Sequence, residues 1–309
     1  MKTSAPGTER VRVRAPGKVN LALRVGGARP DGYHPLNTVF QALSLFDDLT
    51  AVPAPAGEYR IGIVGDQAHL VPADGSNLAV RAARLLASLH GGEDHFGAAF
   101  EIRKTIPVTG GMAGGSADAA AALVACAHLW RLDVSPSELQ DLGGELGADV
   151  PFCLLGSTAL GRGRGDELVP ILSRGGYHWV LALPDVELST PAVFRRFDEL
   201  NPDAAPPRPV PPGLLEGLSG GDVRRVAANL VNDLQPAAVS LRPHLAEVLD
   251  AGLAAGALAG IVSGSGPTCA FLAANEDAAV RLSGALAGIG VCRAVRRACG
   301  PVPGARLFG

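Results

Sequence analysis

The chain has 309 residues, 47% hydrophobic and 18% charged, with 27 basic against 30 acidic side chains and a net charge of −3. This apolar content excludes a disordered chain, and the balanced charge argues against a partner held by a basic field, whether nucleic acid or an anionic membrane. At roughly 100–200 residues per domain the length suggests about two domains, and 40 Gly with 24 Pro fit a turn-rich mixture of helix and strand better than a helix bundle.

Val11 and Val13 alternate with Arg12 and Arg14 in a short strand, which Pro16-Gly17 interrupts. Val19, Leu21, Leu23 and Val25 then recur at every second position. That period marks a half-buried strand, and its other face carries Lys18, Asn20, Ala22 and Arg24. Lys18 and Asn20 therefore project side by side. Residues 26–33 are a loop with an Asp31-Gly32 turn. A strand follows over 36–45, a helix over 77–90 and a strand over 100–106. An Ala-rich helix spans 117–130. Ser135-Pro136-Ser137-Glu138 is a capping box with Pro at the first helical position, and Gly143-Gly144 ends that helix.

Residues 156–170 read as strand, Gly/Arg turn and strand, and Tyr177–Leu183 as an apolar strand. The stretch 201–213 holds six prolines and is a loop. Helices are expected over 223–230, 241–253 and 277–286. Short strands are expected over 261–262, 268–272 and 291–295. The elements mix without strict alternation, so the fold class is α+β. Residues 1–14 hold no apolar segment of a secretory signal, and no stretch resembles a membrane span. Cys126, Cys153, Cys269, Cys292 and Cys299 are odd in number and show no C-x-x-C spacing. A reducing, cytoplasmic setting without disulfides or a zinc site is expected.

Five segments carry candidate chemistry. In Pro107-Val108-Thr109-Gly110-Gly111-Met112-Ala113-Gly114-Gly115-Ser116, four glycines fall within six positions between a strand and a helix. Glycines let backbone N–H groups approach an anion, and the helix adds its positive end. Ser263-Gly264-Ser265-Gly266-Pro267-Thr268 sits between two short strands. Ala15-Pro16-Gly17-Lys18-Val19-Asn20 places a Lys on a strand face, where burial requires a partner. Asp31-Gly32-Tyr33-His34 offers an aromatic and an imidazole, and Gly147-Ala148-Asp149-Val150-Pro151-Phe152 offers one carboxylate among small and apolar neighbours. Each also has an ordinary explanation: a tight turn, a hairpin, an exposed Lys, a surface His, a helix-capping Asp. Walker A, dinucleotide and protein-kinase motifs are absent.

Taken in this order, the segments resemble the GHMP kinase superfamily over nearly the whole chain. The run Arg29-Pro30-Asp31-Gly32-Tyr33-His34, with Thr190-Pro191-Ala192-Val193-Phe194, resembles the branch acting on a cytidine diphosphate-linked methylerythritol. The resemblance implies a two-domain α+β kinase with its active site in the interdomain cleft: an ATP-binding domain over 1–160 and a second domain over 161–309 that helps form the substrate site. It implies ATP-dependent phosphorylation of the substrate's 2-hydroxyl, in the non-mevalonate route to isoprenoid precursors, with ATP and Mg²⁺ as cofactors. It assigns catalysis to Asp149 as base and Lys18 beside it. The phosphates go to Pro107, Gly110, Gly111, Met112, Ala113, Gly114, Gly115 and Ser116, and the nucleoside of ATP to Asn77 and Lys104. Asn20, Tyr33, His34, Thr190, Phe194, Gly264 and Ser265 take the substrate, with Tyr33 and Phe194 sandwiching the cytosine whose edge His34 reads. Met112-Ala113 and Ala117 depart from the family, which has a second hydroxyl or a longer glycine run there, and Ser116 is left as the main hydroxyl for Mg²⁺. Two other readings stay open: a homoserine or mevalonate kinase type, and a nucleotide-binding relative without catalysis.

Overall fold

The computed structural model describes residues 10–309. Of the N-terminal stretch read for a secretory signal, residues 1–9 lie outside the described part.

Val11–Val25 forms one strand, β1, rather than two. Pro16 does not break it, because the register with the next strand shifts between Pro16 and Gly17 and absorbs the irregularity. A second shift between Asn20 and Ala22 changes which face each side chain takes. Leu21 and Ala22 therefore join one core, while Leu23 and Val25 join another. The simple alternation expected over 19–25 is corrected accordingly: a bulge re-aims every side chain beyond it. The strand is also buried on both faces rather than one.

The chain continues through β2 (Leu36–Pro53), β3 (Tyr59–Gly65), α1 (Leu78–Leu89), β4 (Ala98–Lys104), α2 (Gly114–Leu129), α3 (Pro136–Leu146), α4 (Val150–Leu155), β5 (Thr158–Arg162) and β6 (Glu167–Pro170). The second half runs β7 (Tyr177–Leu183), α5 (Thr190–Leu200), α6 (Pro212–Gly220), α7 (Val223–Ala228), β8 (Val231–Asn232), α8 (Gln235–Leu241), α9 (His244–Ala254), β9 (Ala259–Val262), β10 (Cys269–Ala273), α10 (Glu276–Ile289), β11 (Ala294–Gly300) and β12 (Arg306–Leu307). One sheet has the order β12-β1-β2-β4-β3, extended by β5, β6 and β8. The other has the order β11-β7-β10-β9. The α+β class is the observed one.

Helix α3 runs past the glycine pair expected to end it. Its Ser135 Oγ accepts from Glu138 N as the capping box requires, but the helix reaches Leu146. Gly143 is kept for packing instead: a Cβ there would lie 3.1 Å from Val150 Cγ1 on α4. The strand expected over 291–295 is β11, which begins at Ala294; β3, α4, α6, α8, β8 and β12, unlike the amphipathic α5, have no clear period in the sequence. Most are too short, or too buried, to show one.

Helix α2 is buried on most of its surface, with six alanines, Leu123, Cys126 and Leu129 among its buried residues. Small side chains let α1, β1 and β2 approach it closely, so its start is held rigidly.

Candidate active site

Helix α2 begins at Gly114, three residues earlier than the Ala-rich run suggests. Ala113 precedes it in the left-handed conformation, with φ 61°, and no side chain caps the end. Its first-turn N–H groups are therefore available to an anion. The glycine loop is pinned from below. Gly111 O accepts from Ser263 Oγ at 3.1 Å and from Lys18 Nζ at 3.0 Å, and Met112 O accepts from Lys18 N at 3.2 Å. Gly111 has φ +72°, and a Cβ there would lie 2.0 Å from Ser263 O. The serine motif thus sits at a β9–β10 hairpin and also supports the loop.

Lys18 is 4% exposed, so the exposed-Lys explanation fails. Its ammonium donates to Asn20 Oδ1 at 2.8 Å and lies 3.7 Å from Asp149 Oδ2. An ammonium has three donors, and Asn20 with Gly111 O take two. The third is left for Asp149 or for an oxygen bound beside it. Asn20 is fixed in turn, donating to Thr38 Oγ1 at 2.8 Å, and Thr38 donates to Ala22 O at 2.7 Å. Asp149 stands at the N-cap of α4, yet its side chain makes no cap hydrogen bond. It is a carboxylate held beside a cation and directed to no helix.

A cavity of about 1080 Å³ joins these parts. That exceeds the usual single-ligand pocket and suits two nucleotide-sized molecules. Its walls include Lys18, Asn20, Tyr33, His34, Pro107, Gly110, Gly111, Ala113, Gly114, Gly115, Ser116, Asp149, Thr190, Phe194, Gly264 and Ser265. Most of the residues named from the sequence are thus brought together. Tyr33 is 54% exposed at one end, with the Arg164 guanidinium 5.6 Å from its ring centroid. His34 packs on Phe194 with centroids 4.8 Å apart. Thr190 Oγ1 and Ser265 Oγ share a 2.7 Å hydrogen bond across the cavity wall.

Three expected residues have side chains elsewhere. Met112 is fully buried, so only its backbone serves the loop. Asn77 caps α1 by accepting from Ala79 N, and donates to Pro72 O at 2.7 Å. Lys104 is locked between Asp47 and Asp118, the latter at 2.7 Å, and reaches Gly114 O at 3.3 Å. Burial works against its charge, but the two carboxylates outweigh it and hold its pKa above the ordinary value. Lys104 therefore braces the start of α2 from inside instead of facing a nucleoside.

The sequence reading missed Asp198, Arg164 and Asn232. Asp198 was findable, since Thr190, Phe194 and Asp198 recur at every fourth position of α5 and all line the cavity. Arg164 lies in a Gly/Arg turn with no spacing to single it out. Asn232 donates to Val262 O and Gly264 O, at 2.8 and 2.7 Å, on a strand of two residues.

Residues 77–157 match the GHMP kinases N terminal domain, and residues 214–290 match the GHMP kinases C terminal family. The chain belongs to the GHMP kinases. It is similar to two proteins named 4-diphosphocytidyl-2-C-methyl-D-erythritol kinase. One, from Rhodococcus jostii, is 58% identical over 96% of this chain and 95% of its own length. The other, from Nocardia farcinica, is 56% identical over 96% of both. A crystal structure of 4-(cytidine 5'-diphospho)-2C-methyl-D-erythritol kinase superposes with a TM-score of 0.74 at 34% identity, covering 96% of this chain and 99% of that one. These relatives place it in that branch of the GHMP kinases. A homoserine kinase from Cytophaga hutchinsonii, at 19% identity and TM-score 0.71 over the full length of both chains, shares the fold. As a GHMP kinase the chain is an ATP-using phosphotransferase. No helix among the described residues is long and apolar enough to cross a membrane.

Proposed function

We infer that this GHMP kinase transfers the γ-phosphoryl group of ATP to the 2-hydroxyl of 4-diphosphocytidyl-2-C-methyl-D-erythritol, a step toward isoprenoid precursors. The single observation that carries the reading is the Lys18–Asp149 pair, 3.7 Å apart, in one cavity with an uncapped glycine loop and with Tyr33, His34 and Phe194. The loop would bind phosphates, and the aromatic wall would bind a flat base. The smaller acceptors homoserine and mevalonate have nothing to place against such a wall.

Asp149 accepts the proton of the attacking hydroxyl, and Lys18 stabilises both the carboxylate and the alkoxide as it develops. Lys18 needs no rearrangement for this, because Asn20 and Gly111 O already hold it. Tyr33 and Phe194 stack on the cytosine, and His34 reads its edge. Asn20, Thr190, Gly264 and Ser265 position the rest of the substrate.

Among the described residues no group of three or more His, Cys, Asp or Glu side chains is placed to hold a metal. The cavity does present the Ser116 hydroxyl on the first turn of α2. One hydroxyl fits a Mg²⁺ ion that takes its other ligands from phosphates and water. When bound, such an ion neutralises charge on the transferred group.

The division at residue 160 belongs to the same proposal, with 1–160 carrying the ATP loop and 161–309 completing the substrate wall. The two family matches, on either side of that point, support it. Five free cysteines support a cytoplasmic setting.

Purified protein with Mg-ATP and the diphosphocytidyl substrate is expected to yield the phosphorylated product by mass spectrometry, while parallel tubes of homoserine and mevalonate yield none. Transfer to either of those acceptors alone would remove the cytidine reading. No transfer to any acceptor, with ATP still bound, would favour a non-catalytic role.

A further inference from the structure

His34 Nε2 lies 2.8 Å from Asp198 Oδ1. The His34 side chain is only 7% exposed and that of Asp198 41%. Phe194 covers the imidazole at 4.8 Å, and Phe197 meets its edge at 6.1 Å between centroids. The ring is therefore clamped in one orientation. Its Nδ1 has no hydrogen-bond partner among the described residues and is not among the buried orphan atoms. His34 and Asp198 line the same cavity.

A neutral imidazole carries one N–H, and an ionised carboxylate can only accept. The proton must then sit on Nε2, which leaves a lone pair on Nδ1. We propose that Asp198 is a positioning residue that holds His34 in its Nε2–H form, so that Nδ1 accepts a hydrogen bond and selects cytosine over uracil. The proposal rests on the reading of His34 as the residue facing the base edge. Cytosine presents an exocyclic amino donor where uracil presents a carbonyl oxygen. An acceptor gains a bond with the first and meets a second lone pair with the second. A hydrophobic sandwich alone holds both bases equally well, so the aromatic rings cannot supply this preference.

Two measurements test it. The first is ¹⁵N NMR of the histidine-labelled protein, with the His34 signals identified by their loss in His34→Gln. The expected spectrum shows a protonated Nε2 and a bare Nδ1, and Asp198→Leu is expected to show mixed tautomers. The second compares kcat/KM for the cytidine substrate with that for its uridine analogue. Asp198→Leu should lower that ratio by roughly tenfold or more, the worth of one hydrogen bond and its mispaired counterpart. It should raise KM for the cytidine substrate far more than KM for ATP. Asp198→Asn, whose amide oxygen still accepts, should keep most of the preference.

A proton on Nδ1 in the unaltered protein overturns the proposal, and this readout needs no variant of Asp198 to fold. Full discrimination in a folded Asp198→Leu, alongside its loss in His34→Ala, also overturns it and leaves His34 as the base reader. Discrimination retained by His34→Ala would show that His34 does not read the base. No phosphorylation of the cytidine substrate by the unaltered protein would remove the proposed function itself.

Discussion

In the proposed function, Asp149 and Lys18 divide the chemistry because their surroundings differ. Lys18 is buried and held by two acceptors, so its charge is fixed in place. Asp149 keeps about a third of its side chain exposed and makes no cap bond, so it can meet a substrate hydroxyl. Asp149→Asn preserves shape and removes the proton acceptor. Turnover is expected to fall at least about 100-fold, with KM for the cytidine substrate within a few fold. Steady-state kinetics with both substrates checks this, and near-normal turnover would end the assignment. A second residue-scale effect lies inside the fold. Burial pushes the Asp118 carboxyl up to about 8, against the pull of Lys104. The native state then holds a proton that the unfolded chain releases near an ordinary carboxylate pKa. Its contribution to stability is present below about pH 4 and is lost as pH rises toward about 8. Asp118→Asn cannot ionise, so its stability relative to the parent should improve between about pH 5 and pH 8. Urea unfolding at both pH values reads the difference, and a gap that stays constant or widens against the variant would contradict the assignment.

The glycine loop, proposed to bind phosphate, is held by three elements that meet under it. The start of α2 supplies free N–H groups, β1 supplies Lys18, and the β9–β10 hairpin supplies Ser263. Gly111 is the contact common to them. Its positive φ and its distance from Ser263 O leave no room for a side chain. Gly111→Ala is expected to cost about 2 kcal/mol or more of stability and to raise KM for ATP more than KM for the cytidine substrate. Chemical denaturation and kinetics measured together check it. An unchanged melting curve with unchanged KM values would show that the loop relaxes freely. The motifs themselves were legible in the sequence, since dense glycines between a strand and an Ala-rich helix offer backbone N–H groups to an anion, although a tight turn explains them as well. Their mutual contacts were not, because no local period links residue 18, residue 111 and residue 263.

Two sheets do not make two independent halves. Strand β1 contributes Leu21 to one core and Leu23 to the other, and β8 and β12 return from late in the chain to pair with β1. Asn232 ties β8 to the serine hairpin through two carbonyls. Unfolding either core therefore exposes part of the other. One cooperative calorimetric transition is expected, with equal calorimetric and van't Hoff enthalpies. Two resolved transitions would show that the cores separate. The same stitching sets the cleft, because its walls are drawn from residues 18 to 265.

The sequence by itself determined the α+β class, the strand of Lys18 and Asn20, the glycine loop, the capped start of α3 and the turn holding Tyr33 and His34. These depend on local spacing, backbone freedom and side-chain type, all of which are written along the chain. Only the tertiary structure decided that Pro16 bends β1 without ending it, that Leu23 faces the second core, and that Lys104 braces α2 from within. Only it paired Asp198 with His34 and gave the 3.7 Å separation of Lys18 from Asp149, a neighbourhood the family resemblance had implied. Those outcomes depend on which distant segments share a wall, and bulges, burial and charge pairing settle that after the local elements exist.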